Sequence, residues 1–489
     1  MDSIANAQAR LAGAYDPERF TESAGQFSEL LSGHLSRVLN GEGPVLPWTP
    51  PTQQITDASR TLNESHDSDL PQRFEEILKQ ILSRGINLHH PRYIGHQVAA
   101  PVPVAGLFDA IGATTNQAMA IYEMGPWATA VENALIQEMG KRVGWDDGQF
   151  AGLITHGGTL ANLTALLTAR NIALPNGWED GVADSENPPV LVANAEVHYS
   201  ITRAAGMLGL GTRNVVRVPS DQSRRMTPEA LDATLSDLKS RNVPVIAVAA
   251  CACSTPIGAF DPIREIAAVC KKYKVWLHVD AAHGGGALFS EKHRHLLEGL
   301  EEADSVIIDA HKMMFVPGLC AFVLYKNKEH RFEAFRQDAP YLFDPTAPDL
   351  ADFDMGMKTV ECTKRAAGFG LWGVWSLYGS QLFADLIDVT FARAQLLFEK
   401  VKAAPDFESI HQPESNIVAF RHIPTHLKNA DPQEIGEHQL QLRRRLIESG
   451  KFYIVSTKID GIGALRAVLM NPMTSEDDLD ALLNTIRET

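Results

Sequence analysis

Cysteine is scarce in this sequence. Five cysteines, at positions 251, 253, 270, 320 and 362, stand among 489 residues, an odd number set mostly in apolar surroundings. That usage suits a reducing cytoplasm, not a disulfide-held secreted scaffold. Cys251-Ala-Cys253 has no second Cys/His pair at metal-ligand spacing, so it reads as small core residues and no metal is expected. Positive charge is also in deficit. A formal net charge of −16 argues against a nucleic-acid-binding surface and against docking on anionic membranes. No run reaches the roughly 18 uninterrupted apolar residues of a transmembrane helix. The N-terminus Met1-Asp-Ser-Ile-Ala-Asn6 lacks the basic start and apolar stretch of a signal peptide. Repeats and low-complexity tracts are missing too. What is present, 45% hydrophobic and 21% charged, is the composition of a globular chain long enough for two or three domains.

Hydropathy divides the chain into three expected parts. Residues 1–88 read as an N-terminal helical segment: helices begin at Asp16-Pro17 and continue through Phe27–Leu39, a proline-rich connector spans Pro44 to Pro51, and an amphipathic helix covers Pro71 to Arg84. Such a segment could hardly form its own core, so it needs a larger body or a partner subunit to pack on. Residues 89–380 read as a large domain. Two helices rich in small residues, near 105–120 and 128–143, precede short β-branched strands that alternate with helices. The strands are Val190–Ala193, Val215–Val218, Val245–Ala249, Val275–Val279, Val306–Ile308 and Cys320–Leu324. Unbroken apolar strands of this kind imply an α/β fold with a mostly parallel sheet covered on both faces. Residues 381–489 read as a small C-terminal α/β domain, entered by a long helix over 368–403 and containing strands 416–422 and 464–470.

Four polar signatures fall at predicted strand ends, where ligands of such sheets bind. Thr155-His-Gly-Gly-Thr159-Leu-Ala-Asn162 is a glycine-rich turn into a helix, whose free N–H groups suit phosphate or merely a cap. His198 follows a strand and precedes a helix, where an imidazole can stack on a flat cofactor or serve structure alone. Thr255 lies in Cys253-Ser-Thr-Pro-Ile-Gly258 and could hold a ring substituent or the carboxylate of Asp280. Asp280, in Leu277-His-Val-Asp-Ala-Ala-His-Gly-Gly-Gly286, ends an apolar strand with no cation beside it in sequence, so it is protonated, caps a helix or has a partner from elsewhere. A fifth stretch, Asp304 to Gly318, carries Lys312 just beyond the strand Val306–Ile308. A buried ammonium is costly, and burial that depresses its pKa makes a good amine nucleophile; otherwise the lysine simply snorkels to water.

In this order and spacing the chain resembles the group II pyridoxal-phosphate-dependent amino-acid decarboxylases, relatives of the glutamate, aromatic amino-acid and diaminobutyrate decarboxylases. The matching text includes His90-Pro-Arg-Tyr93, Gly157-Gly-Thr159, His198-Tyr-Ser200, Phe260-Asp261, His278-Val-Asp280, Asp309-Ala-His-Lys312 and Thr359-Val-Glu-Cys-Thr-Lys-Arg365, within a resemblance running from about residue 70 to Asn471-Pro472. It implies a fold type I transferase-like architecture, a homodimer with the active site at the interface, and release of CO2 and an amine from an L-amino acid. Decarboxylative oxidative deamination, or carbon–carbon or carbon–sulfur lyase chemistry, is the alternative on the same fold.

The resemblance also distributes roles. Lys312 would bond the cofactor aldehyde, Asp280 would pair with the pyridinium nitrogen, and His198 and Ala282 would enclose the ring. Gly158, Thr159 and Leu160 would hold phosphate, with Thr255 and His311 in the same wall. Asp309 stands where the family usually has asparagine; an aspartate beside phosphate would repel it, so it is expected to face His311 or a backbone amide. Lys364, or Arg365 next to it, would grip the substrate carboxylate, and His96 and Asn116 would line the substrate pocket. The family's mobile loop carries a tyrosine that helps protonate Cα. Here the corresponding stretch 344–353 has none, and Tyr341 precedes it; His198 is then an alternative acid.

Overall fold

The apolar runs of the middle of the chain assemble into one seven-stranded sheet. The computed structural model describes residues 2–63, 69–182, 187–335 and 352–489. The strands are β1 (Ala151–Thr155), β2 (Val190–Asn194), β3 (Val215–Val218), β4 (Val245–Cys251), β5 (Trp276–Asp280), β6 (Ser305–Asp309) and β7 (Ala321–Tyr325), in spatial order β1-β7-β6-β5-β4-β2-β3. Only β7 runs against its neighbours β1 and β6; every other pairing is parallel. Alternate residues serve opposite faces, as the pleat requires. Val192 of β2 and Val248 of β4 join one core, while Leu191, Ala193, Ala247 and Ala249 join the other. Both faces are thus apolar, which is why these strands read as runs without alternation.

A second, antiparallel sheet follows the long helix Gln381–Ala403. Its strands β8 (Phe407–Ser409), β9 (Ile417–His422), β10 (Val455–Ile459) and β11 (Ile462–Val468) lie in the order β8-β9-β11-β10. The expected single helix over 368–403 is two helices, Phe369–Tyr378 and Gln381–Ala403, because Gly379 between them takes φ +70°. The segment around Tyr93 reaches this small sheet: Tyr93 bridges Tyr453, and Ile94 is buried in a core with Phe420 and Leu465.

At the N-terminus stand α1 (Asp2–Ala14), α2 (Pro17–Leu39), α3 (Pro51–Asn63) and α4 (Leu70–Arg84), followed by α5 (Pro103–Thr114) and α6 (Pro126–Val143). Asp16 caps α2 by accepting the Glu18 amide at 3.0 Å. Among the described residues of α1 to α4 only Val38 is buried, whereas Phe20, Ile55, Leu62 and Ile81 are exposed.

One buried ion pair ties α6 to the sheet. Lys364 and Arg365 form a two-residue strand against Ala118 and Met119. Lys364 Nζ lies 2.5 and 2.7 Å from the two carboxylate oxygens of Glu132 and 2.5 Å from the Ile154 carbonyl, and both side chains are 1% exposed. Glu132 Oε1 also accepts the Ile154 amide at 2.9 Å. Removing one partner leaves the other charge buried and bare, so Glu132→Leu should cost about 3–5 kcal/mol. The double variant Glu132→Leu/Lys364→Met should recover most of that loss. Urea midpoints of the two proteins check this; equal midpoints would remove the pair's structural role.

Candidate active site

Three adjacent strands deliver their polar ends to one place. A cavity of about 380 Å³ opens at the carboxyl edge of β4, β5 and β6, lined among others by Gly158, Thr159, His198, Thr255, Asp280 and Lys312. Ala282, Asp309 and His311 complete the set of predicted cofactor residues in its wall. Leu160 is the exception. It does not line the cavity, and its amide is spent on the Gly157 carbonyl at 3.1 Å.

Helix α7 (Gly158–Ala173) starts at the cavity. Gly157 turns the chain with φ +109°, and the Gly158 and Thr159 amides have no backbone partner, being the first of the helix. A side chain at Gly158 would meet Asp309 Oδ2 at 2.7 Å, so the helix start and that carboxylate are in close contact. Asp309 Oδ2 lies 2.9 Å from Lys312 Nζ and 3.6 Å from His311 Nε2, while its Oδ1 is buried without a partner. The expected turn of Asp309 toward His311 is therefore shared with Lys312 itself. The consequence reverses the expectation for the lysine. Burial alone would lower its pKa, but the carboxylates of Asp309 and Asp280 outweigh burial and raise it. The ligand-free lysine is an ammonium held in an ion pair.

Asp280 owes its geometry to residues on three elements. Its Oδ2 accepts Asn162 Nδ2 at 2.9 Å and its Oδ1 accepts the Ala282 amide at 3.2 Å; Thr255 is not among its partners. Asn162, on α7, also donates to Ser200 Oγ at 2.9 Å, and its own Oδ1 lies 2.7 Å from His278 Nε2. An amide oxygen can only accept, so His278 carries its proton on Nε2. Its Nδ1, 2.9 Å from Ser305 Oγ, is the acceptor. Burial pushes His278 down to about 4, with Asp280 opposing. On the other side Ser200 Oγ, accepting from Asn162, gives its own proton to His198 Nδ1 at 2.8 Å. His198 caps helix α8 (Tyr199–Met207) and is lowered first by burial, so it is a neutral ring with its proton on Nε2.

The predicted substrate residues are not brought together. Lys364 is a correction: it is sealed in the pair with Glu132 and cannot reach a ligand. Arg365 is exposed, with one long contact to the Asp109 carbonyl at 3.5 Å. Asn116 is exposed with φ +50°, away from this cavity. His96 sits against the Tyr453 ring at 5.8 Å, beside the cavity residue Gln97. Tyr341 and the loop 344–351 lie outside the described residues.

Other groups escaped the sequence reading. His156 lines the cavity and pairs with Glu361. His283 lines it too, bonded through Nε2 to Asn416 Oδ1 at 2.7 Å; burial, then Lys312, pushes it down to about 3. Both histidines stand inside stretches already noticed for other residues, the glycine turn at 157–158 and Asp280. Arg466 gave no signal at all. It sits on β11, 7% exposed, and its Nε has no hydrogen-bond partner. No carboxylate is within salt-bridge reach of it among the described residues. Burial lowers it to about 10, and its charge is felt by Cys253, His283 and His96.

Known proteins are similar to this chain in sequence and fold. The family model described as the pyridoxal-dependent decarboxylase conserved domain matches residues 54–423. The acidic amino acid decarboxylase GADL1 of Mus musculus and that of Homo sapiens are each 30% identical over 452 residues, spanning 90% of this chain and 81% and 85% of their own. The crystal structure of mouse CSAD superposes with a TM-score of 0.87 at 28% identity, over 97% of this chain and 99% of that one. The Oryza sativa TDC structure with PLP and tryptamine has a TM-score of 0.87 at 21% identity, over 97% and 98%, a likeness of fold.

Pyridoxal phosphate suits the residues present. Free amides at the α7 start await an anion, Asp280 awaits a protonated nitrogen, and Lys312 supplies an amine between them. The Lys312–Asp309 pair has a testable sign. A raised lysine pKa stabilises the native state fully below the ordinary lysine range and ceases to do so as pH rises through the native value. Asp309→Asn should therefore move the reactivity of Lys312 toward an amine-selective reagent to lower pH in the ligand-free protein. Peptide-resolved labelling across pH 8 to 11 measures it; an unmoved midpoint would show that Asp309 does not hold the proton.

Proposed function

From the premise that the chain belongs to the pyridoxal-dependent decarboxylase family, we propose that this member decarboxylates an acidic L-amino acid and that Arg466 receives the side-chain acid. The protein is a carboxy-lyase that uses pyridoxal 5'-phosphate to release CO2 from an amino acid. The single observation that carries the substrate class is buried Arg466, whose Nε has no hydrogen-bond partner among the described residues and whose charge acts on the cavity residues Cys253 and His283. A buried cation without a partner is costly, and an anionic ligand relieves that cost. The name of the GADL1 relatives, acidic amino acid decarboxylases, supports the same class.

Bound cofactor supplies an electron sink for the pair released when the bond from Cα to the carboxyl group breaks. The residues of the chain do the rest. Lys312 would hold the cofactor through Nζ, the amine nearest the Asp309 carboxylate. Asp280, kept in place by Asn162 and the Ala282 amide, would hold the ring nitrogen. His198, whose Nδ1 accepts from Ser200, would have its Nε2 proton to offer to Cα, the role the family gives to a loop tyrosine. The departing carboxylate loses its charge in the transition state. A cation on it would favour the ground state, whereas a cation on the side-chain acid orients the substrate without that penalty.

The enzyme is proposed to work as a homodimer in the cytoplasm. All five cysteines are free, and no helix among the described residues is long and apolar enough to cross a membrane. An apolar groove of about 640 Å³ lies between α2, α4 and α5, lined by Phe20, Phe27, Leu31, Phe74 and Leu107, and no described residue fills it. A second copy, using the same helices, would bury it. Asn116 and Arg365 would then contribute, if at all, to the partner's site.

Three measurements test these readings. Lys312→Ala should lose both the cofactor's visible absorbance and nearly all turnover; retained turnover would mean another lysine serves. A screen of CO2 release from the twenty amino acids should single out acidic ones, and Arg466→Met should raise KM for them roughly 10- to 100-fold. Fastest release from an aromatic or basic amino acid would overturn the substrate class, and an aldehyde with peroxide in place of an amine would move the reaction to oxidative deamination. Sedimentation should give twice 53.5 kDa; a fully active monomer would refute the dimer.

A further inference from the structure

His156 stands in the turn between β1 and α7, two residues before Gly158, and its ring lines the cavity. Its Nδ1 lies 2.7 Å from Glu361 Oε1, a carboxylate brought from the far side of the sequence. Glu361 is itself fixed: its Oε2 accepts Thr359 Oγ1 at 3.3 Å, and its amide donates to the same hydroxyl at 3.4 Å. A carboxylate only accepts, so the proton of this contact is on Nδ1. The other nitrogen, Nε2, is buried and has no hydrogen-bond partner among the described residues. An imidazole whose back is clamped by a carboxylate and whose front nitrogen is buried and idle is one ligand short.

The charges around it say what that ligand is. The α7 start offers two amides and the positive end of a helix, but Asp309 lies against Gly158 and Oδ1 of that carboxylate is also idle. A phosphate placed there meets an anion. Lys312, the ion partner of Asp309, would be engaged by the cofactor aldehyde and would then not serve as a free ammonium. A further cation is needed on the phosphate side. A His156 ring that donates from Nδ1 to Glu361 and from Nε2 to phosphate is such a cation, and Glu361 fixes its orientation.

We propose that His156, held by Glu361, donates from Nε2 to the cofactor phosphate and is a phosphate ligand alongside the amides of Gly158 and Thr159. The proposal rests on the phosphate sitting at the start of α7. It explains why a histidine occupies the turn although the backbone cradle alone could bind an anion: this cradle carries an aspartate, and the dyad offsets it.

Cofactor-free protein titrated with pyridoxal 5'-phosphate and, separately, with pyridoxal separates the possibilities, because the two differ only in the phosphate. His156→Ala and His156→Gln should weaken pyridoxal 5'-phosphate roughly 10- to 100-fold while leaving pyridoxal affinity within about 2-fold. Glu361→Gln should show the same selectivity with a smaller loss. Unchanged pyridoxal binding also certifies that the variants are folded. Equal losses for both compounds would make His156 structural. Unchanged affinity with a lost kcat would make it an acid or base at the reacting carbon, and either result overturns the proposal. Gly158→Val is the control for the phosphate position. If it leaves the ratio of the two affinities untouched, the phosphate lies elsewhere; if it abolishes selectivity while His156→Gln does not, only the role of His156 fails.

Discussion

Charge burial at the carboxyl edge of the large sheet is the constraint on which the rest depends. β5 and β6 lie side by side, and each ends in an aspartate that is almost fully buried. Two carboxylates at neighbouring strand ends repel one another and are poorly hydrated, so the site is unstable as a set of isolated groups. Lys312 answers one of them directly. Asn162 and the Ala282 amide answer the other with oriented dipoles. A cofactor that carries a cationic ring nitrogen, an aldehyde and a phosphate fits between them because the site already presents a complementary group for each.

Helix α7 is the element that makes this possible. Its first turn faces the cavity with free amides, and one turn further on Asn162 reaches Asp280, Ser200 and His278 together. Every proton in that network has a single consistent place, so the neutral form of His198 is set from behind, by groups that never touch a ligand. Such networks are worth keeping only when complete, since one orphaned member in a low-dielectric interior costs more than it contributed. His156 and Glu361 apply the same logic on the phosphate side.

The misreadings follow from what linear order conceals. Lys364 lay in the right motif, yet its ammonium serves α6 and β1 through Glu132. Nothing in Glu361-Cys-Thr-Lys-Arg365 reveals which way a two-residue strand will face, and that orientation decides whether a lysine is a ligand or a strut. Leu160 was one position too deep into the helix, where the amide already has a partner. For Lys312 the electrostatic expectation fails: burial suggested a depressed pKa, but the carboxylates of Asp309 and Asp280 reverse the sign. Arg466 was invisible because an arginine on an otherwise apolar strand signals nothing until the strand is placed beside the cavity.

By itself the sequence determined six of the seven strands of the sheet, their two-sided burial and, through the family resemblance, the cofactor. Those depend on local patterns: unbroken apolar runs, a glycine turn before a helix, and an aspartate and a lysine at strand ends. Only the tertiary structure decided which cations are free. Lys364 is neutralised by Glu132, Lys312 is held by Asp309 and felt by Asp280, and Arg466 meets no carboxylate among the described residues, because charge pairing is set by distances in the folded chain.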